Sequence, residues 1–198
     1  MRKTFVMLTA LAMATAALAV EAGKPAPDFT GTDINGKAVR LSDYAGRIVI
    51  IESYNSDCPY CQNHYKTGAM QALQKELADK GVVWLLVNSV NPKNMSHRTP
   101  EQARKEITDE KMDVTAWIDD SAGVIGHLYG MLTTPHMFVI NKDGTLAYDG
   151  AIDDQPDPTH DPTKARNYVR EAANNLLAGK TIAVSETKPY GCSVKYAD

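Results

Sequence analysis

The sequence predicts an α/β protein: a mixed central β-sheet flanked by helices on both faces, with an N-terminal β-hairpin. Three observations carry this. The run Ile48-Val49-Ile50-Ile51 and the segment Val82 to Val90 read as strands buried on both faces of a sheet. A segment of helical periodicity joins them, which is the strand-helix-strand order of a layered α/β fold. Near the end of the chain, two short strands flank Asn141-Lys142-Asp143-Gly144, whose Asp-Gly chemistry makes an antiparallel hairpin.

The elements follow in order. Asn35-Gly36 between Phe29 and Val39-Arg40-Leu41 gives the first hairpin. Arg47 to Tyr54 is the first buried strand. From Pro59 to Lys80, Tyr65, Met70, Leu73 and Leu77 recur at helical steps, so one helix is expected there, stopped by Gly81. After the second strand, Asn91 to Pro100 is a polar loop. Glu101 to Glu110 is a surface helix, Val114 to Ile118 a short strand and Ala122 to Tyr129 a short helix. Met137 to Ile140 and Thr145 to Tyr148 are the hairpin strands. Asp161-Pro162 then reads as the N-cap and first-turn proline of a last helix, with Ala165, Tyr168, Val169, Ala172 and Leu176 on one face and Gly179 at its end.

Arg2 and Lys3, the apolar stretch Phe5 to Leu18 and the small residues Ala17-Leu18-Ala19 match a secretory signal peptide, with cleavage expected after Ala19; an uncleaved signal anchor is the alternative. No later segment approaches the roughly 20 apolar residues of a membrane span, so none is expected in the mature chain. Without Arg2 and Lys3, 19 basic residues face 24 acidic ones, a formal charge of −5 that argues against a nucleic-acid or anionic-membrane partner. The expected organisation is a signal peptide over 1–19, one domain over 20–182, and a tail over 183–198 that carries Cys192. Three cysteines in an exported chain are too few for a disulfide scaffold and odd in number, which points to chemistry rather than stapling.

The chemistry centres on Cys58-Pro59-Tyr60-Cys61, two cysteines after a buried strand and at the start of a helix. A helix beginning at Pro59 puts Cys58 at the N-cap, where free backbone N–H groups and the helix dipole favour a thiolate. Cys58 is then the nucleophile, and Cys61 resolves a mixed disulfide by attacking it. A permanent disulfide and half of a zinc site are the bland alternatives, and no second cysteine pair completes the latter. Thr134-Pro135 precedes a strand; a cis bond there frees the backbone of Thr134 to pair with an extended substrate segment, and a trans bond makes Pro135 only a strand-entry residue. Glu52 interrupts the first buried strand. It is either an acid of raised pKa that takes the Cys61 proton, or a strand-end carboxylate facing solvent. Cys192 is either a third redox thiol that receives a disulfide from Cys58 or a passive free cysteine, since sequence separation says nothing about reach. His136 directly follows Pro135 and His64 follows Cys61 by three residues, so a copper-binding or zinc-binding role with Cys58, Cys61 and one histidine, His136 foremost, is the second reading. Asp153, Asp154, Asp157 and Asp161 lack the spacing of a calcium loop and read as a solvated acidic insertion.

Gly23-Lys24-Pro25-Ala26-Pro27-Asp28-Phe29, Asn35-Gly36-Lys37, Leu41-Ser42-Asp43-Tyr44, Cys58-Pro59-Tyr60-Cys61, Thr134-Pro135 and Lys142-Asp143-Gly144-Thr145 together resemble the redoxin, or AhpC/TSA-like, branch of the thioredoxin superfamily. Small exported thiol-disulfide oxidoreductases of the TlpA and ResA kind are the nearest in pattern, over about Gly23 to Lys180. The resemblance implies a thioredoxin fold with catalytic Cys58 and Cys61, a cis Pro135, Glu52 in the place of a buried acid, and Thr134, Pro59 and Tyr60 at the substrate. It implies no cofactor and no metal, and as partners protein thiols or disulfides and a redox partner protein, in the periplasm. Peroxiredoxins carry a threonine or serine and a proline where this chain has Asn55 and Ile51, which sets thiol peroxidase activity third. Tryptophan precedes the first cysteine in thioredoxin, where Asp57 stands here, and Pro59-Tyr60 resembles the glutaredoxin dipeptide. Gly191-Cys192-Ser193 is similar to the tail of an exported redoxin subgroup, some of whose members keep only the first active-site cysteine, which favours Cys192 as a partner of Cys58.

Overall fold

The computed structural model describes residues 20–197, so the signal peptide expected over 1–19 lies outside the described residues. Seven strands form one mixed sheet: β1 (Thr30–Asp33), β2 (Ala38–Arg40), β3 (Val49–Ser53), β4 (Val83–Asn88), β5 (Ala116–Asp119), β7 (His136–Ile140) and β8 (Leu146–Gly150), in the spatial order β2-β1-β5-β4-β3-β7-β8. A second sheet has two short strands, β6 (Thr133–Thr134) and β9 (Cys192–Ser193). β3 runs parallel to β4 and β4 to β5, whereas β7 is antiparallel to β3 and β8 antiparallel to β7. The N-terminal hairpin β1-β2 extends the same sheet by pairing antiparallel with β5.

Period-two alternation sends the central strands' side chains to two cores. Ile50, Trp84, Leu86, Met137 and Val139 point to one, beside Tyr65, Met70, Leu73, Leu77, Val169 and Ala172. Val49, Ile51, Val83, Leu85, Val87, Phe138 and Ile140 point to the other, beside Phe29, Ile125 and Tyr129. Among the described residues, no helix is long and apolar enough to cross a membrane.

Two helix expectations are corrected. The single helix expected from Pro59 to Lys80 is two, α1 (Pro59–Lys66) and α2 (Ala69–Ala78). The Thr67 hydroxyl donates to the Asn63 carbonyl at 2.7 Å, and Gly68 takes a left-handed φ of 76°, a conformation glycine adopts at little cost. After α3 (Pro100–Asp109) and α4 (Val124–Leu128), the last helix, α5 (Tyr168–Leu177), starts later than Asp161-Pro162 suggests. Its N-cap is Asn167, which accepts from the Arg170 N–H at 2.8 Å. Asp161 caps only a local turn, accepting from the Thr163 N–H and hydroxyl. Meanwhile a bridge between Asp153 and Asn167 holds the intervening chain as a loop.

Past α5 the tail returns across the sheet edge rather than leaving the molecule. The Thr187 N–H donates to the Asp149 carbonyl, the Val194 N–H to the Leu132 carbonyl, and the Tyr196 hydroxyl to the Met131 carbonyl. The Tyr196 ring stacks on His127 at 4.0 Å. These bonds bring β9 onto β6.

Candidate active site

The site sits where β3 passes into α1, the end of the sheet at which backbone N–H groups of a helix start are free. Cys58 is the N-cap of α1, in extended conformation, with Pro59 at the first helical position. Its N–H donates to the Asn55 carbonyl and its carbonyl accepts from Gln62. Cys61, one turn on, is fully buried. The Thr134-Pro135 peptide bond is cis, and Thr134 packs against the sulfur: the Cys58 thiol donates to the Thr134 carbonyl at 2.8 Å. All three cysteines are free.

The third arrives from the tail. Cys192 is the register partner of Thr134 in the antiparallel β6-β9 pair. Gly191 makes this approach possible: at φ 144°, its position for a Cβ lies 2.2 Å from the Thr134 carbonyl oxygen, closer than any side chain allows. Tyr190 packs at 5.8 Å against Tyr60, the residue before Cys61. Cys58 is only 1% exposed under this cover.

The three thiols are pushed apart in acidity. Cys58 is held down to about 4, chiefly by the Cys61 thiol, which donates to it, against burial; the Thr134 side chain, the Cys61 N–H and the Cys192 thiol lower it further. Thr134 acts in both senses, because its carbonyl accepts the proton of the un-ionised thiol. Cys61 is driven well above its ordinary range by burial, then by the Cys58 thiolate and by Glu52. Cys192 is raised to about 11, by burial and by its hydrogen bond to Cys58.

Glu52 is fully buried in β3, which excludes the solvent-facing alternative. The Trp84 indole N–H donates to Oε2 at 2.8 Å, and the Tyr65 hydroxyl lies 3.1 and 3.0 Å from the two carboxylate oxygens. Gln74 donates to the Tyr65 oxygen at 3.0 Å and fixes that hydroxyl. Burial raises the Glu52 pKa to about 7, and these bonds keep it from rising further.

The copper or zinc set proposed around His136 does not form. Both ring nitrogens of His136 are engaged away from the sulfurs: Nδ1 accepts from the Leu132 N–H at 3.2 Å, and Nε2 lies 2.7 Å from Asp149 Oδ1. The residue after the cis proline enters β7 and turns toward β8, so proximity in sequence is not proximity to the thiols. The acidic insertion is also not uniformly solvated, since Asp153 is 1% exposed. Sequence reasoning missed the acid's partners: Tyr65 read only as an apolar helix position, Trp84 only as part of a buried strand, and Gln74 gave no signal. The return of the tail to Thr134 was signalled only by the resemblance carried by Gly191-Cys192-Ser193.

A buried acid, an N-cap cysteine with a buried partner, and a cis-proline loop on this sheet define the class of thioredoxin-like thiol-disulfide oxidoreductases. The AhpC/TSA family profile matches residues 22–149, and the chain belongs to that family. It is 37% identical over 128 residues to the thiol-disulfide oxidoreductase ResA of Geobacillus kaustophilus, covering 65% of this chain and 68% of the relative. A crystal structure of a hypothetical protein from Sinorhizobium meliloti shares the fold with a TM-score of 0.77 at 20% identity, over 91% of this chain and 97% of the other. A putative thiol:disulfide interchange protein DsbE from Chlorobium tepidum matches at TM-score 0.54 and 25% identity, over 66% and 85%.

Proposed function

We propose that this protein exchanges electrons with protein thiols and disulfides in the periplasm through a mixed disulfide at Cys58. The observation that carries the reading is the Cys58 sulfur at an α-helix N-cap, acidified to about 4 and flanked by Cys61 and the cis Thr134-Pro135 loop. The Cys58 thiolate attacks one sulfur of a partner disulfide, forming the mixed disulfide and releasing the partner's other sulfur as thiolate. Glu52, with a pKa of about 7, is partly ionised near neutrality and takes the Cys61 proton as Cys61 attacks Cys58. The partner leaves reduced, and Cys58 and Cys61 remain as a disulfide; the reverse sequence oxidises a partner. Thr134, Pro59 and Tyr60 form the substrate edge. Export rests on the N-terminal charge, apolar core and Ala17-Leu18-Ala19, and the catalytic unit is the 20–182 domain with 183–198 as its tail.

Cys192 is the third redox thiol in this reading. It is supported by the pairing of Cys192 with Thr134, the residue whose carbonyl accepts from the Cys58 thiol. The tail's backbone occupies the edge at which an extended substrate segment would pair, so the chain carries its own disulfide partner for Cys58.

A glutathione redox titration of the metal-free mature protein, with alkylation and mass mapping at each potential, tests the reading. A reversible Cys58-Cys61 couple is expected, with a Cys58-Cys192 species accumulating in Cys61→Ser. Near about −270 mV the couple is that of a reductant, near about −120 mV that of an oxidant. Absence of any reversible couple involving Cys58 overturns it.

A further inference from the structure

We propose that His64, Asp153 and His160 form a binding site for a divalent transition metal of the zinc class, separate from the cysteines. One ligand atom from each of the three lies within 4.8 Å of the others. His64 Nε2 is 3.8 Å from Asp153 Oδ2, and His160 Nε2 is 2.9 Å from the same oxygen. For comparison, donors held about 2.0 to 2.2 Å from a tetrahedral zinc stand roughly 3.3 Å apart, so small side-chain movements close the site.

An ordinary histidine-aspartate pair accounts for His160 and Asp153 but not for His64. That residue is 2% exposed, and its Nε2 has no hydrogen-bond partner. Leaving a buried polar atom unpaired costs about 1–3 kcal/mol, and such groups call for an explanation. A metal supplies one, because an unpartnered imidazole nitrogen 3.8 Å from a carboxylate oxygen and within 4.8 Å of a second imidazole nitrogen is a ligand in waiting.

The surroundings are those of a metal site's outer shell. His160 Nδ1 meets the Asp157 carbonyl, which leaves Nε2 facing Asp153. Asp153 Oδ1 accepts from the Gln155 N–H at 3.0 Å and from the Tyr190 hydroxyl, so the carboxylate is held from behind. Two imidazoles and one carboxylate suit zinc and its neighbours rather than calcium or magnesium, which take all-oxygen sets. With three protein ligands, one coordination position is left to water or a small ligand. Because Asp153 also holds Tyr190, two residues before Cys192, the metal would brace the stretch of chain lying over Cys58.

Zn(II) titration calorimetry on the metal-free reduced protein, with Co(II) absorption to report donor type, tests this. One equivalent should bind with micromolar or tighter affinity, the Co(II) spectrum should lack thiolate charge transfer, and Cys58→Ser should bind equally well. His64→Ala, checked by circular dichroism for its fold, should weaken this event at least 100-fold. If His64→Ala does not fold, His160→Gln replaces it with the same expectation. Absence of a one-equivalent event, a thiolate band in the one-equivalent complex, or undiminished binding in a folded histidine variant overturns the assignment.

Discussion

Replacing Glu52 with glutamine removes a carboxylate buried beside the dithiol, and its effect on stability can be worked out with its sign. In the folded protein burial raises the Glu52 pKa to about 7 from the ordinary 4.5. Between those pH values the folded state holds a proton that the unfolded chain has released, so stability falls as pH rises through the window. A difference of 2.5 in pKa at 1.36 kcal/mol each gives about 3 kcal/mol, present below pH 4.5 and lost by about pH 8. Glu52→Gln has no such loss. It carries instead a constant cost of about 1–3 kcal/mol, because its amide oxygen can replace the carboxyl oxygen that accepts from Trp84 but its N–H₂ then stands beside the Tyr65 hydroxyl where the other carboxyl oxygen was. Cys58, held down to about 4, adds stability as pH rises, and does so in both proteins. Urea unfolding of the two reduced proteins at pH 4.5, 6, 7 and 8, followed by tryptophan fluorescence, should show Glu52→Gln less stable at pH 4.5 and gaining about 3 kcal/mol on the wild type by pH 8. Parallel curves across that range would refute the buried, proton-holding acid.

Three further outcomes are expected. The rate of iodoacetamide capture at Cys58, in protein unfolded only after quenching, should rise with a midpoint near pH 4, and Cys61→Ala should slow capture at pH 5 about tenfold by removing the strongest donor to the thiolate. Gly191→Ala puts a methyl group 2.2 Å from the Thr134 carbonyl oxygen, so the tail should lift and Cys58 alkylation accelerate several-fold; an unchanged rate would mean the tail does not shield the sulfur. Tyr65→Phe deletes a hydrogen bond that lowers the Glu52 pKa, so the alkaline limb of stability should shift upward in pH at a cost of about 1 kcal/mol.

Much of this was legible in the sequence, and for identifiable reasons. Buried strands, the N-cap cysteine and the hairpins announce themselves through local chemistry, as Ile48 to Ile51, Cys58-Pro59 and Asp143-Gly144 do. The cis bond at Pro135 was legible only through the resemblance, because a bare Thr-Pro pair carries no isomer signal. The break at Gly68 was hidden because apolar residues keep helical spacing on both sides of it. Asp161-Pro162 looks like a helix start and fails as one because a bridge between residues 153 and 167, set by packing, decides where α5 begins. His64, Asp153 and His160 are drawn together by the loop after β8, and nothing in their spacing foretells it. The same is true of Cys192, whose meeting with Cys58 depends on a tail path held by Thr187, Val194 and Tyr196.

The pairing of Cys192 with Thr134 has a kinetic consequence. A segment tethered to its own binding edge is present at an effective concentration that is of millimolar order for short flexible linkers, and no partner dissolved at micromolar levels matches that by mass action alone. In the proposed reaction a partner would gain Cys58 only by waiting for the tail to leave, so that its observed rate is capped by tail opening, or by binding elsewhere on the surface and displacing the tail from one side. The two routes separate in the dependence of rate on partner concentration: the first saturates at a ceiling common to all partners, and the second at a ceiling set by each. Selectivity for partners would then reside less in what touches the sulfur than in what can evict Cys192 from its place beside it.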